Sequence, residues 1–399
     1  MLELLPPPPT DPLWDLTYEF GADERSERLD LVLGVYRDHT GRTPVMAAVR
    51  EAEIRLAERS ASKEYRGLSG NAAFNRALLA LVLGDEEAGG TAGRAAAVQT
   101  VAGSGALRLL ADLICRTRPG TTVWISDPAY VNHRPILEAA GLRVRTYGWC
   151  APDGGFDADG VLGTLGAQAR RDDVVLLQGC CHNPTGVDPS REEWEALAAL
   201  AVRDGWVPFV DLAYHGLGDG LEADLEPTRM LAARVPEMLV AVSCSKNFGL
   251  YSDRTGCAIV LGASKEAVRY AETALQNAAR TLYSMPPEHG AAVVTTILED
   301  AGLTAAWRAE LDAMRERITA HRTELVHRLT DLGHGDRARA LAGQRGMFSM
   351  LPLTGEEMLR LRRQHAIYGT TAGRINIAGI PADRIACLAR GMADVLDAR

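Results

Sequence analysis

The part of this sequence with the clearest chemical potential surrounds Lys246. The apolar run at residues 238–242, just before it, predicts a short buried strand. A lysine beyond such a strand end is partly desolvated, which favours the neutral amine that forms a Schiff base with a carbonyl group. Ser243 and Ser245 flank the lysine and Arg254 follows eight residues later, so hydroxyls and a cation are available to a phosphate monoester. The pattern alone also fits a solvated lysine in a polar loop.

A second reactive group follows another predicted strand, residues 206–210. Asp211 comes directly after it, and an acid at a buried strand end needs a positive partner or several hydrogen bonds. A pyridinium N–H is such a partner, and the pairing keeps the ring protonated as an electron sink. Together these residues predict a pyridoxal phosphate (PLP) site. The lysine would bind its aldehyde, the serines and the arginine its phosphate, and the aspartate its ring nitrogen. By itself, Asp211 also fits a helix N-cap or a structural ion pair.

Other polar and aromatic side chains come directly after predicted strands. Tyr130 could stack on a planar ligand, and Asn183 and Tyr214 could hydrogen-bond a ring hydroxyl. The strands are predicted at residues 123–126, 144–147, 174–177, 206–210, 239–242 and 257–261. Continuous apolar strands alternating with helices fit a parallel or mixed sheet covered on both faces, whose ligands bind beyond the carboxyl strand ends.

A glycine-rich stretch offers a further anion site. A short strand from Thr100 is expected to pass through a turn at Gly103, Ser104 and Gly105 into a helix that ends at Arg116. Backbone N–H groups at such a helix start bind anions, although the same pattern is typical of a plain N-cap.

The C-terminal part predicts a smaller α+β unit. A helix is expected at residues 303–332, then strands at 345–350, 367–368 and 374–378, and a closing helix at 381–397. Arg374 begins an otherwise apolar strand, where a guanidinium suits bidentate capture of a carboxylate. An edge-strand surface arginine is the alternative. Near the N-terminus, residues 30–36 predict another strand.

Bulk composition narrows the function classes. The net charge of −9 over 399 residues argues against nucleic acid or an anionic membrane surface as a partner. No apolar run reaches the roughly 20 residues that span a bilayer, and residues 1–10 do not resemble a signal peptide. The seven scattered cysteines and the absence of an HExxH pair suggest no disulfide framework and no metal site, so we expect a reduced, cytoplasmic compartment. Four consecutive prolines within residues 5–9 predict an extended arm, which in an oligomer would wrap a partner subunit.

With these residues in view, the sequence resembles the aspartate/aromatic-amino-acid aminotransferases, a branch of the class I aminotransferases and of the fold-type I PLP enzymes. The match is near full length. It rests on Gly34-Val35-Tyr36-Arg37-Asp38, Gly105-Ala106-Leu107-Arg108, Asn132-His133, Cys181-His182-Asn183-Pro184-Thr185-Gly186, Ser245-Lys246-Asn247-Phe248-Gly249-Leu250-Tyr251, Tyr283-Ser284, Pro286-Pro287, Gly346-Met347-Phe348-Ser349 and Gly373-Arg374.

The resemblance implies an α/β fold. It consists of a large domain with a mostly parallel seven-stranded sheet covered by helices, and a smaller α+β domain built from both chain ends. The corresponding ranges are an N-terminal arm at 1–12, the first part of the small domain at 13–43, the large PLP-binding domain at 44–312 and the second part of the small domain at 313–399.

The resemblance also implies roles for individual residues. Lys246 would carry PLP and move the proton between the substrate Cα and the cofactor C4′. The other cofactor contacts would be Asp211 and its partner His133 at the ring nitrogen, Tyr130 on the ring face, Asn183 and Tyr214 at the ring hydroxyl, and Gly103, Ser104, Ser243 and Arg254 at the phosphate. Tyr65 would reach the phosphate of a neighbouring subunit, which implies a homodimer with shared active sites. The substrate contacts would be Gly34, Tyr130, Asn183 and Arg374 near the α-carboxylate, and Arg280 with Met285 in the distal pocket.

Departures from the family pattern bear on the substrate. Tyr130 replaces the usual tryptophan, and Gln178 stands where histidine is common. Met285 and Leu282 stand where the family more often has polar residues, which should weaken the hold of Arg280 on a short dicarboxylate. We therefore expect transfer from an aromatic L-amino acid (Trp, Tyr or Phe) to 2-oxoglutarate by a ping-pong mechanism. An aspartate aminotransferase is the alternative, a PLP lyase or decarboxylase a remote one, and a non-catalytic PLP-binding module the least favoured.

Overall fold

The computed structural model describes residues 2–4, 12–59, 62–84 and 93–398. The four prolines of the predicted arm lie outside the described residues. The chain forms two units. The larger comprises Pro44–Asn183 and Val187–Glu316, and the smaller comprises Met1–Thr43, Pro184–Gly186 and Arg317–Arg399. The domain ranges implied by the family resemblance stay a prediction.

Strands and helices follow one another through most of the described chain. The strands are β1 (Leu29–Asp30), β2 (Ala95–Val101), β3 (Thr122–Asp127), β4 (Arg143–Gly148), β5 (Val174–Gln178), β6 (Val207–Leu212), β7 (Met238–Ser243), β8 (Thr255–Leu261), β9 (Phe348–Met350), β10 (Ile367–Tyr368) and β11 (Arg374–Asn376). The α-helices are α1 (Pro12–Ala22), α2 (Ala47–Arg59), α3 (Ala72–Leu83), α4 (Ala102–Thr117), α5 (His133–Ala139), α6 (Ala158–Gln168), α7 (Arg191–Asp204), α8 (Leu221–Arg234), α9 (Lys265–Leu282), α10 (Glu288–Glu299), α11 (Ala301–Asp331), α12 (Gly335–Ala342), α13 (Gly355–His365) and α14 (Ile385–Asp397). Short 3-10 turns lie at Leu2–Leu4, Ile377–Gly379 and Ala382–Arg384.

A seven-stranded sheet forms the centre of the larger unit, in the order β2-β8-β7-β6-β5-β3-β4. The five strands from β7 to β4 in that order are parallel, and β8 is antiparallel to both β7 and β2. The central strands are almost wholly buried because they are continuous apolar runs with helices on the sheet. The α/β fold class and the mostly parallel seven-stranded sheet that the family resemblance implies are confirmed.

The smaller unit holds two short two-stranded sheets. β1 pairs in parallel with β10, and β9 pairs antiparallel with β11. The strand predicted at residues 30–36 is wrong beyond Asp30. The Asp30 carboxylate accepts the N–H of Val32 at 3.0 Å, and the Asn376 side chain donates to the carbonyls of Leu33 and Val35, both at 2.7 Å. These side-chain bonds replace a strand ladder, because a short polar side chain can satisfy local backbone groups directly.

The closing helix begins later than predicted. Residues 382–384 form a 3-10 turn and α14 starts at Ile385. Among the described residues, no helix combines the length and the apolar character needed to cross a membrane.

Candidate active site

The sheet directions gather the candidate residues of the larger unit at one edge. β2, β3, β5, β6 and β7 all run the same way, since β8 alone is reversed between β7 and β2. The segments after these five strands, and the segment before β8, therefore lie along the carboxyl edge of the sheet. This is where open α/β sheets bind ligands. These segments carry Gly103 and Ser104, Tyr130 and His133, Asn183, Tyr214, Lys246 and Arg254, and Asp211 and Ser243 lie within the last two residues of β6 and β7.

The start of α4 packs tightly against two of these segments. The N–H of Ala102 donates to the carbonyl of Arg254 at 2.9 Å. A Cβ added at Gly103 would lie 2.9 Å from the Cβ of Ser243, so only glycine allows this approach. Backbone N–H groups at the helix start, the Ser104 and Ser243 hydroxyls and the guanidinium of Arg254 are therefore available together for a phosphate.

The glycine-rich turn predicted before α4 is wrong in one respect. α4 begins at Ala102, directly after β2 ends at Val101, so Gly103, Ser104 and Gly105 lie within its first turn. The small residues serve close packing rather than a separate turn, since a Cβ at Gly256 of β8 would also fall 2.4 Å from the Ala102 carbonyl carbon.

Asp211 is held by a buried histidine. The Asp211 Oδ2 and His133 Nε2 atoms are 2.8 Å apart, and both residues are buried. The Tyr130 ring meets the His133 ring edge-on, with centroids 5.3 Å apart. A carboxylate fixed in this way suits a cationic ring N–H as its further partner.

Tyr214 and Asn183 are joined by a hydrogen bond. The Asn183 side-chain amide donates to the Tyr214 hydroxyl at 3.0 Å. Gln178 fixes the backbone of Asn183, because its side chain donates to the Asn183 carbonyl and accepts the Asn183 N–H, both at 2.8 Å. Gln178 was identified from the sequence only as a departure from the family pattern. Its position five residues before Asn183 is the signal that could have predicted their contact.

Lys246 lies beside this pair. Its Nζ atom is 5.0 Å from the centroid of the Tyr214 ring. Burial, the largest cause, lowers the pKa of Lys246 from 10.5 to about 8; Arg254 lowers it further, and Asp211 opposes both by raising it. The lysine therefore holds a useful fraction of neutral amine near neutral pH, as a Schiff-base nucleophile requires.

No role was predicted from the sequence for two further buried side chains at this edge, Ser126 and His182, although His182 stands in one of the family motifs. The Ser126 hydroxyl donates to the Pro128 carbonyl at 2.9 Å, and it lies 2.9 Å from Nε2 of His182. The His182 ring stacks on Trp149, with centroids 4.3 Å apart. Burial lowers the pKa of His182 well below its usual value, so this ring is neutral. No local pattern connects these residues, which come from separate strand ends.

In the smaller unit, Gly34 and Arg374 lie against the same aromatic ring. A Cβ at Gly34 would be 2.5 Å from Cζ of Phe348, so that ring would have to shift to admit any other residue. The Arg374 Cζ atom lies 4.6 Å from the centroid of the Phe348 ring, and its Nη2 donates to the Val32 carbonyl at 2.8 Å. The buried guanidinium is thus held in one orientation, as bidentate carboxylate binding needs.

The Tyr65 segment and the segment around Arg280 lie on the surface of the larger unit. Tyr65 is 93% exposed and Leu282 is 47% exposed, and Arg280 is exposed in the last turn of α9. Met285 accepts the backbone N–H of Arg66 at its sulfur, at 3.0 Å. The Tyr65 segment and the segment after α9 are therefore neighbours.

Cys180, Cys181 and Asp224 form a buried group whose ligand-type atoms lie within 4.8 Å of one another. The Asp224 carboxylate already accepts three backbone N–H groups of residues 216–219, at 2.8, 2.9 and 2.8 Å. A hydrogen bond with Cys181, together with burial, raises the pKa of Cys180 well above its usual value. We assign this group to the packing of the turn, because the Asp224 carboxylate is already bonded to three backbone N–H groups.

The donor set at the sheet edge fits the cofactor that the family resemblance implies. A nucleophilic lysine, an oriented carboxylate, a Tyr–Asn pair and an anion cradle match the aldehyde, the ring nitrogen, the ring hydroxyl and the phosphate of PLP respectively. The chain's own packing, with no room for a side chain at Gly103, is the structural observation that supports the phosphate end.

Comparisons with known proteins agree with this site. The family model described as "Aminotransferase class I and II" matches residues 26–391. The chain is 42% identical to an aspartate aminotransferase of Escherichia coli strain K12, over 99% of this chain and 100% of that protein. It is 47% identical to a tyrosine aminotransferase of Rhizobium meliloti strain 1021, over 93% and 94% respectively.

A solved structure is also similar. It is an aromatic-amino-acid aminotransferase from Burkholderia pseudomallei covalently bound to pyridoxal phosphate, with a TM-score of 0.96 and 36% sequence identity over 99% of each chain. Both the fold and the sequence match extend over nearly the whole chain. This protein therefore belongs to the class I and II aminotransferase family.

Proposed function

We propose that this aminotransferase moves the amino group of an aromatic L-amino acid to 2-oxoglutarate by a ping-pong mechanism, with PLP held on Lys246. The observation that carries the proposal is the placement of Lys246, Tyr214 and Asp211 on adjacent strand ends. Lys246 Nζ lies 5.0 Å from the Tyr214 ring centroid, and Asp211 is fixed by His133.

Each residue has a distinct task in this proposal. When bound, PLP supplies an aldehyde and an electron-withdrawing ring that makes the substrate Cα–H bond acidic. Asp211 keeps the proton at the ring nitrogen, and Tyr214 and Asn183 bind the ring hydroxyl. Lys246 Nζ would move the proton between the substrate Cα and the cofactor C4′. The lowered pKa of the free lysine, about 8, leaves part of the amine neutral near neutral pH, as proton abstraction requires.

The remaining residues bind and orient. Gly103, Ser104, Ser243 and Arg254 hold the phosphate, and Tyr130 covers the ring. Arg374 grips the substrate α-carboxylate, and the backbone at Gly34 lines the same place. These binding contacts fix the reacting atoms in one geometry. Such orientation supplies a large part of the rate gain in two-substrate reactions.

The aromatic preference rests on the segment after α9. Leu282 and Met285 follow Arg280 within five residues of the chain and carry an isobutyl group and a thioether where the family more often has polar residues. An arginine with fewer hydrogen-bonding neighbours holds a short carboxylate less firmly, and the apolar side chains favour an aromatic ring. The 47% identity to a tyrosine aminotransferase is consistent with this preference.

Aspartate is the second candidate donor. Arg280 is present at the end of α9, where it could bind a distal carboxylate, and the chain is 42% identical to an aspartate aminotransferase. Arg280 does not decide between the donors, because 2-oxoglutarate also carries a distal carboxylate that needs such a partner.

The same assignment implies a homodimer with shared active sites. Tyr65 is 93% exposed and Arg280 and Leu282 are exposed nearby, so the surface that would reach a partner's site is available. We also place the enzyme in the cytoplasm, since all seven cysteines are free, which fits a reducing compartment.

Product analysis tests the proposed reaction. Purified protein with PLP, phenylalanine and 2-oxoglutarate should yield phenylpyruvate and glutamate in equal amounts. Lys246→Ala should abolish turnover while the fold stays intact. Release of carbon dioxide or an amine would instead indicate a decarboxylase, and turnover by the folded Lys246→Ala variant would contradict the role of the lysine.

A further inference from the structure

A buried hydrogen bond joins the two turns that carry Lys246 and Tyr214. The side-chain amide nitrogen of Asn247 lies 2.8 Å from Nε2 of His215, and both residues are completely buried. Asn247 is the residue after Lys246, and His215 is the residue after Tyr214. The bond therefore connects the chain positions directly beside the proposed cofactor lysine and the proposed cofactor tyrosine.

The two side chains hydrogen-bond to each other and to no other group of the described residues. Within the described part of the chain, His215 Nδ1 and Asn247 Oδ1 have no other hydrogen-bond partner. Each residue thus makes its one side-chain hydrogen bond across this contact. Burying two polar side chains for a single bond is unfavourable relative to an apolar pair of the same size, so the contact points to a role in geometry.

The backbone of the same turn is anchored separately. The Trp307 indole N–H donates to the Asn247 carbonyl at 2.7 Å. The next residue, Phe248, stacks on the Trp307 ring with centroids 4.4 Å apart and planes 2° from parallel. The N–H of Gly249 donates to the Lys246 carbonyl at 3.2 Å and closes the turn. Trp307 therefore fixes where the turn lies, and His215 holds its side-chain face against the Tyr214 turn.

We propose that His215 is a positioning residue for Lys246. Through Asn247, it fixes the direction in which the Lys246 side chain leaves its turn, and with it the distance from Nζ to the Tyr214 ring. This inference rests on the proposed function, in which Lys246 carries PLP. Proton transfer requires that lysine to lie within a fraction of an ångström of its reactive position, so a loosened turn should slow the reaction.

The neutral state of His215 suits this task. Burial lowers the pKa of His215 to about 4, so the ring carries no charge in the working range of pH. A neutral ring can accept the Asn247 amide proton at Nε2. It does so without adding a second positive charge near Lys246, where Arg254 already disfavours the ammonium form.

A double-mutant cycle tests the inference on the PLP-bound enzyme. The variants are His215→Leu, Asn247→Ala, their combination, and His215→Gln, whose amide oxygen can accept the same bond. The first readout is the pH midpoint of the absorbance change of the bound cofactor, and the second is the single-turnover rate with phenylalanine. Asn75→Ala is the matched control, because Asn75 is also a buried asparagine whose amide bonds a backbone carbonyl, that of Ser69, at 2.8 Å.

We expect His215→Leu and Asn247→Ala each to move the midpoint by about half a pH unit or more and to slow the single turnover about 10-fold. The combined variant should be no worse than the more affected single variant, because both remove the same bond. His215→Gln should keep both the midpoint and the rate close to those of the wild type. Asn75→Ala should lower thermal stability without moving the midpoint.

Other results would overturn the inference. A folded His215→Leu or Asn247→Ala enzyme with an unchanged midpoint and rate would do so, as would additive effects in the combined variant or an equal shift in Asn75→Ala. If His215→Leu fails to fold, the comparison of His215→Gln with Asn247→Ala decides in the same way. If the wild type binds PLP and transaminates, but the variants keep its midpoint and rate, this inference is refuted and the proposed function is not. A wild type that shows no cofactor absorbance refutes the proposed function and this inference with it.

Discussion

Nε2 of His133 lies 2.8 Å from Oδ2 of Asp211, and the two residues are buried together beneath the carboxyl edge of the sheet. An ionised carboxylate only accepts hydrogen bonds, so the proton in this contact belongs to His133 Nε2. The histidine thus orients Asp211 and leaves its charge available to a cationic partner. That partner is the ring N–H of PLP in the proposed function.

Asp211→Asn should keep the orientation of the side chain at position 211 and remove its negative charge, so it tests the charge alone. The amide keeps nearly the same shape but cannot hold a proton on a ring nitrogen. We expect turnover to fall about 100-fold or more, the order of loss seen when a preorganised electrostatic partner is removed. Steady-state kinetics measures the loss, and absorbance of the bound cofactor shows whether PLP remains. Near-normal turnover with bound PLP would show that Asp211 does not act on the ring.

The lowered pKa of Lys246 predicts how cofactor loading depends on pH. Only the neutral amine attacks the PLP aldehyde, and below its pKa the neutral fraction falls about tenfold per pH unit. The rate of PLP incorporation into the apoenzyme should therefore rise up to a midpoint at about pH 8 and level off above it. Stopped-flow absorbance from pH 6 to 10 gives the profile. A rate that still climbs tenfold per unit above pH 9 would indicate an ordinary lysine and would contradict the desolvated site.

Met285→Asn should move the donor preference toward aspartate. The substitution restores a polar group near Arg280 and removes apolar surface that favours an aromatic ring. We expect the ratio of kcat/KM for phenylalanine to kcat/KM for aspartate to fall about 10-fold, which corresponds to about 1.4 kcal/mol.

The matched control is Met314→Leu, a volume-conserving change at a buried methionine of α11. It should leave the ratio unchanged. If Met285→Asn leaves the ratio as it is in the wild type, the aromatic preference has been assigned to the wrong residue.

Gly34→Ala should destabilise the protein because the new methyl group has no room. Its Cβ would lie 2.5 Å from Cζ of Phe348, whose ring also contacts Arg374. We expect a loss of about 1–3 kcal/mol in the free energy of unfolding, as for other overpacked sites, and a raised KM for amino acids.

Gly21→Ala provides the comparison in the same unit. It lies within α1 and a Cβ there meets nothing within 4 Å, so the change should be neutral or slightly stabilising. Denaturant unfolding of both variants checks the difference. Equal stability of the two would show that Phe348 yields easily and does not fix this part of the smaller unit.

Six strands of the sheet could be predicted from the sequence to within two residues, but β2 begins at Ala95, five residues before the short strand expected from Thr100. Residues 174–177 and 239–242, for example, lie within β5 (Val174–Gln178) and β7 (Met238–Ser243). They are continuous apolar runs, and burial on both faces leaves little ambiguity. Lys246 and Asp211 could be selected for the same reason, since a polar side chain directly after such a run stands out.

Contacts between distant strand ends could not be predicted in the same way. His215 and Asn247 are 32 residues apart in the chain, and Ser126 and His182 are 56 apart. Neither pair forms a local pattern, and only the order of the strands brings them together. The strand predicted at residues 30–36 failed because the side chains of Asp30 and Asn376 satisfy its backbone, which hydrophobic alternation does not reveal.

The half-reaction with single amino acids tests the central claim most directly. Enzyme in the PLP form is mixed separately with phenylalanine, tyrosine, tryptophan and aspartate, and conversion of the bound cofactor to its amine form is followed by absorbance. We predict conversion by all four, with the aromatic amino acids faster. Faster conversion by aspartate would contradict the proposed donor and leave the roles of Lys246 and Asp211 in place. No conversion by any of them, with PLP bound, would contradict the proposed reaction itself.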